Sequence, residues 1–129
     1  MNAVRDQVCC ATERQDLVWK RDCSRVRRAV EPAVSAVFEV EVEELRAPTR
    51  RSAEAAFARQ VAMYLAHVVC GLSLTEVGLV FARDRTTVAH ACELVEDRRD
   101  EPELDRKLGH LERAVVSLVD AVVARGLES

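Results

Sequence analysis

Residues 83–87 read Arg-Asp-Arg-Thr-Thr and sit where one helical run has ended and another begins. Asp84, Arg85, Thr86 and Thr87 carry between them the groups that address base edges in a duplex major groove. Arginine is the commonest reader of guanine O6 and N7. Aspartate accepts from cytosine N4, and the threonine methyl meets the thymine methyl. A helix N-terminus also favours a nearby phosphate. The plainer alternative is that Asp84 only caps the helix and Arg85 only solvates it.

The elements that must position these residues follow from spacing. Ser73 and Glu76 form the S-x-x-E pattern of a capping box. The helix they start buries Leu74, Val77 and Phe81 at i, i+3, i+7 and ends near Phe81. After a turn of about three residues, Asp84 stands at the cap of a helix carrying Val88, Ala91, Cys92 and Val95 inward. The pair, 73–98, has the form of a helix-turn-helix. In that unit the first residues of the second helix face the major groove.

Upstream, Val26, Ala29, Val30, Ala33, Val34, Val37 and Phe38 follow helical spacing, and Pro32 predicts a kink or a new start near Glu31. "VEVEELRAP" predicts a short helix ended by Pro48. A long helix is predicted over about Ser52–Val69, with Ala56, Phe57, Val61, Tyr64, Leu65 and Val68 inward and Gly71 at its C-cap. Pro102 suits the first turn of a last helix, whose stripe is Leu104, Leu108, Leu111, Val115, Leu118 and Val122. The domain reading is residues 1–23 as a tail or frayed helix, 24–125 as an all-α domain of about six helices, and 126–129 as a tail.

Composition agrees. Gly and Pro number only 4 and 3, too few for the turns of a sandwich or barrel, and aromatics are 4%, so Val, Leu and Ala must build the core. A net charge of −3 does not advertise nucleic-acid binding, but charge placement matters more than the sum. Arg46, Arg50, Arg51, Arg59, Arg83 and Arg85 are expected on one face. Glu93, Glu96, Asp97, Asp100, Glu101 and Glu103 are expected toward the far end of the second helix and beyond. Met1–Lys20 is charged throughout, unlike a secretory signal, and no apolar run has bilayer length. A cytoplasmic protein with five reduced cysteines is expected.

Three stretches resemble the C-terminal DNA-binding domain family of DnaA, the bacterial chromosome replication initiator. "FARQVAMYLA" (57–66) is similar to the family's R-Q-x-A-M-Y-L-A helix. "SLTEVGLVF" (73–81) is similar to S-L-x-E-I-G-x-x-F, and "RDRTTVAHAC" (83–92) to R-D-H-T-T-V-x-H-A-C. "VEVEELRAPTRR" (40–51) fits the family's short helix and basic loop. The resemblance implies a Trp-repressor-like helical fold and sequence-specific binding of double-stranded DNA at DnaA-box-like sites. It implies base contacts from Asp84, Thr86 and Thr87, and from Arg51 in the minor groove; Arg85, at the same helix start, joins them. Narrow A·T tracts attract such an arginine. Backbone contacts are expected from Arg50, Arg59, His67, Ser73, Leu74, Thr75 and Arg83, while His90 is expected to pack and support its helix.

The sequence also departs from the family. Arg85 replaces a common histidine, which favours guanine at that step. One residue, Ala82, stands where the family often has two glycines, and His67 replaces a lysine. No G-x-x-x-x-G-K-[ST] occurs, and Gly71, Gly78, Gly109 and Gly126 cannot form one. The expectation is a stand-alone DNA-binding domain without ATPase activity, without cofactor and not an enzyme, regulating replication initiation or nearby transcription.

Other constellations carry less. His67, Cys70, His90 and Cys92 do not converge on one helix face, so Cys70 and Cys92 are expected to be core thiols rather than zinc ligands. Tyr64 is expected in the core. Val115, Val116, Leu118, Val119, Val122 and Val123 form a wide arc on the last helix. That arc can pack on residues 24–38, form a homodimer, or bind DnaA or other replication proteins as an adaptor.

Overall fold

The computed structural model describes residues 23–46 and 52–128, with side chains over 26–46 and 52–118. Six helices fill these residues: α1 Cys23–Phe38, α2 Val42–Arg46, α3 Ala53–Val68, α4 Leu74–Phe81, α5 Arg85–Arg98 and α6 Pro102–Glu128. No strand occurs among the described residues, and none of their helices is long and apolar enough to cross a membrane. Residues 1–22, with Cys9 and Cys10, lie outside the description. Gly126, Leu127 and Glu128, read from sequence as a tail, belong to α6.

α3 is the axle of the domain. Every residue from Val61 to His67 is buried, because α1, α5 and α4 pack around it. A helix hydrophobic on all sides belongs at the centre. Ser52 caps it by accepting from the Ala55 amide at 3.0 Å. α1 runs through Pro32 as one helix, so no new start falls near Glu31. It ends at Phe38, and Glu39, with a φ of 55°, turns the chain out of the helix. Lys107 lies 5.8 Å from the Phe38 ring centroid, so α6 begins beside the end of α1. Leu104, Leu108, Leu111 and Val115 close the core there, while Leu118, placed on the same stripe by spacing, is exposed.

Polar groups pin these helices at defined points. Glu31 is 1% exposed, in the middle of α1. Its Oε2 accepts from Arg27 Nε at 3.0 Å and its Oε1 from Arg46 Nε at 2.9 Å, joining α1 to α2. Arg27 also donates to the Val80 carbonyl at 3.3 Å, near the end of α4. At the far end of α5, Arg99 donates to Asp105, to Glu112 and to the Tyr64 hydroxyl, at 2.8, 2.8 and 3.0 Å. One guanidinium thus ties α5 to α6 and α3. The Glu112 and Asp105 carboxylates hold its proton more tightly than in water.

Cys70 and Cys92 are buried free thiols. Burial pushes the Cys70 thiol up to about 12. Burial, with Glu96 and Glu93 nearby, pushes Cys92 up to about 11. An unfolded chain loses these protons near pH ~8.5, whereas the folded chain keeps them. The folded state then binds more protons, so stability must fall as pH rises from about 8.5 toward these folded values. Tyr64, also raised chiefly by burial, adds to the same trend. Urea midpoints are expected to drop between about pH 8 and pH 10.5, and to drop less in a Cys70→Ala, Cys92→Ala variant. Parallel pH profiles for the two proteins would show that the thiols do not carry the effect.

Candidate nucleic-acid interface

The capping box forms as its spacing predicts. The Glu76 amide donates to Ser73 Oγ at 3.1 Å, and the Ser73 amide donates to Glu76 Oε1 at 2.8 Å. Leu74, Val77 and Phe81 are buried beneath it. α4 ends at Ala82, which adopts the left-handed region with φ 55° and ψ 50°. That conformation costs a residue with a Cβ roughly 1 kcal/mol, which is why glycine is common at such ends. A single alanine therefore makes the turn. The Ala82 amide donates to the Gly78 carbonyl, as does the Arg83 amide at 2.9 Å.

Gly78 is what lets the turn close. A Cβ built there would lie 2.5 Å from the Arg83 carbonyl oxygen and 3.7 Å from the Arg85 nitrogen. Both are backbone atoms and cannot swing aside. The sequence analysis gave Gly78 no structural duty: it stood in the family-like stretch 73–81 and among the glycines that cannot form a phosphate loop. The available signal was an isolated glycine inside a helical pattern, which usually has a packing reason.

α5 begins as expected, with one difference. Asp84 occupies the N-cap position in an extended conformation, but its side chain makes no capping hydrogen bond. Its carbonyl accepts from the Val88 amide at 3.0 Å. Asp84, Arg85, Thr86 and Thr87 are all exposed, while Val88, Ala91, Cys92 and Val95 are buried. Asp84, Arg85 and Thr87 line a concavity of about 560 Å³ with Thr75, Leu79 and Arg83. Leu79 is 79% exposed at its rim.

Several residues assigned to the backbone-contacting set have other duties. His67 is buried, and its Nδ1–H donates to the Leu72 carbonyl at 2.7 Å. It braces the turn between α3 and α4 and cannot reach a ligand. The Leu74 side chain is buried, so only its backbone amide could face a phosphate. Arg59 donates to the Leu45 carbonyl at 2.9 Å and the Glu44 carbonyl at 3.1 Å, clamping the end of α2. Desolvation first, and then the charge of Arg83, make its protonated form less favourable. Arg46 is exposed but spends its charge on Glu31. Thr75 is exposed and Arg83 half-buried. Arg50 and Arg51 lie outside the described residues. His90, expected to pack, is exposed, whereas Tyr64 is in the core as expected.

A model of the bacterial DnaA helix-turn-helix matches residues 27–95, more than half of the chain. The chain belongs to the bacterial DnaA helix-turn-helix family. It is 40% identical over 86 residues to the chromosomal replication initiator protein DnaA 1 of Protochlamydia amoebophila (strain UWE25), covering 66% of this chain and 19% of that protein. It is 42% identical over 78 residues to the DnaA of Mycobacteroides abscessus (strain ATCC 19977), covering 60% and 16%. This DnaA-family chain thus spans about a fifth of the length of the curated relatives it matches. Among solved structures, a DNA replication initiation factor aligns with a TM-score of 0.67 at 30% identity, covering 76% of this chain and 30% of that one. A replication initiator DnaA bound to AMPPCP and single-stranded DNA aligns at 0.66 and 29%, with the same coverage.

Proposed function

We propose that this chain binds double-stranded DNA at DnaA-box-like sites through α4 and α5, and so regulates replication initiation or nearby transcription. The observation that carries this reading is the start of α5. Asp84, Arg85, Thr86 and Thr87 are exposed together on a helix whose other face is locked into the core. Asp84 and Arg85 share a concavity with Arg83 and Thr75, which brings base-edge groups and backbone groups to one place. Arg51 is assigned to the minor groove and Arg50 to the backbone by resemblance. The chain carries no phosphate-loop pattern, so ATP hydrolysis forms no part of the proposal. A cytoplasmic, nucleoid-associated location follows from DNA binding.

Fluorescence anisotropy with a duplex carrying a DnaA box (TTATCCACA) against a scrambled duplex tests this. The box is expected to bind more tightly. Thr86→Ala is expected to weaken box binding by about 1–3 kcal/mol, roughly 5- to 150-fold, with little change on the scrambled duplex. Arg51→Ala is expected to reduce box preference also. Equal weak binding to both duplexes, unchanged by either substitution, would sink the proposal. A second reading, an adaptor surface for a second copy or a replication protein, is supported by Val116 and Leu118, 44% and 45% exposed on α6. In that case Leu118→Glu would abolish association while DNA binding stayed absent.

A further inference from the structure

A groove of about 370 Å³ runs between α3 and α5, lined by Phe57, Arg59, Gln60, Arg83, Thr87 and Arg98 among others. Three of its lining residues are arginines and none is acidic. Arg83 and Thr87 also line the concavity at the start of α5, so the two depressions meet. The groove leads from there toward Ala53, in the first turn of α3.

Arg98 stands at the outer end. Its guanidinium carbon lies 4.3 Å from the Phe57 ring centroid. The Phe57 ring is held edge-on by Phe38, with centroids 5.9 Å apart and planes at 78°. A stacked guanidinium keeps its in-plane N–H donors available while the ring restricts its rotamers. The carboxylate of Glu101 is 4.0 Å away, and both partners are largely exposed. Such a pair is weak and leaves most of the positive charge unspent. Arg59, which gives two of its donors to α2, adds charge to the groove.

We propose that Arg98, laid over Phe57, is a DNA-backbone contact that holds a phosphate of the strand bounding the major groove. The inference rests on the DNA-binding reading above and extends its footprint. Scale supports a backbone rather than a base contact. Arg98 stands eleven positions after Thr87, about 16 Å along the helix. The major groove is only about 12 Å wide, so a group that far from the reading end reaches the groove wall. Phe57 is the positioning residue.

The test is the salt dependence of binding by the full chain, measured by anisotropy on box and scrambled duplexes from about 50 to 200 mM salt. Arg98→Ala is expected to flatten the slope of log affinity against log salt by about 0.9, the value for one phosphate. It should weaken both duplexes by the same factor, roughly three- to tenfold at the lower salt, and leave the box preference intact. Arg98→Lys should keep the slope. Phe57→Leu should weaken binding less than Arg98→Ala and add nothing to it in combination. A scan of neutral methylphosphonate linkages should find one flanking position that weakens the wild type but not Arg98→Ala. Box-preferring binding whose slope is the same in Arg98→Ala overturns this inference and leaves the DNA-binding reading standing. A flattened slope with no box preference supports the phosphate contact and overturns sequence-specific reading. A wild-type chain that binds neither duplex overturns both.

Discussion

Replacing Gly78 by alanine is expected to lower the stability of the domain by about 2 kcal/mol, although alanine is the better helix former. Helix propensity alone would favour the change by about 1 kcal/mol. Against it stands an overlap of the new methyl with the Arg83 carbonyl oxygen, 2.5 Å away. Overpacking of this kind costs about 1–3 kcal/mol where neighbours can adjust, and occasionally more. Here the neighbour is backbone in a turn already constrained by the left-handed Ala82 and by two amides on the Gly78 carbonyl. The steric cost therefore outweighs the propensity gain. A thermal melt followed by circular dichroism should show a midpoint lower by about 5–10 °C. Box affinity should fall by more than the unfolded fraction explains, because the displaced atoms set where α5 begins. An unchanged or higher midpoint would mean that the turn absorbs the methyl.

Glu31→Ala is expected to cost about as much, by a different route. The wild-type carboxylate is buried and binds two arginines, one on its own helix and one on α2. Removing one member of a fully buried pair costs about 3–5 kcal/mol, because a charge is left stranded. Arg27 and Arg46 keep a path to water, with side chains 33% and 52% exposed, so the stranded-charge penalty is smaller. What remains is the loss of charge-assisted bonds and a void in α1, together about 2 kcal/mol. Glu31→Gln separates the two causes. It preserves volume but turns an amide NH₂ toward a guanidinium, and it should restore little of the loss. Urea midpoints for the three proteins measure this. Full recovery in Glu31→Gln would assign the effect to packing rather than charge.

The helix starts were legible because their signals are local. Ser73 with Glu76, Ser52 before α3 and Pro102 at the head of α6 each act within one turn. The inward residues of α5 were legible for the same reason, since one period places all four. The misreadings share the opposite character. His67 looked like a substitute for a family lysine, but its partner is a carbonyl across the α3–α4 turn. Arg59 was expected at a phosphate, and no local pattern showed that α2 returns beside it and takes two of its five donors. Leu118 follows the periodic stripe of α6, yet the stripe's packing reaches only to Val115 among the described side chains. Glu31 was read only as the place of a new helix start, although it stands four residues after Arg27. That Arg46 completes it depends on how α2 folds back, which no local pattern encodes. At the candidate site the exposure of Asp84, Arg85, Thr86 and Thr87 at the start of α5 was legible, although Asp84 does not cap the helix through its side chain, while Gly78 and the Arg98–Phe57 stack needed the approach of separate segments.

The hold of Arg99 on three helices bears on the entropy of association. Where the far end of a helix is free to fray or tilt, ordering it on binding costs free energy. In this protein the far end of α5 is already fastened to α3 and α6 through Tyr64, Asp105 and Glu112. The ordering was completed when the chain folded. On the proposed function, a partner docking at Thr86 and Thr87 meets a pre-set edge, and more of the contact energy survives as affinity.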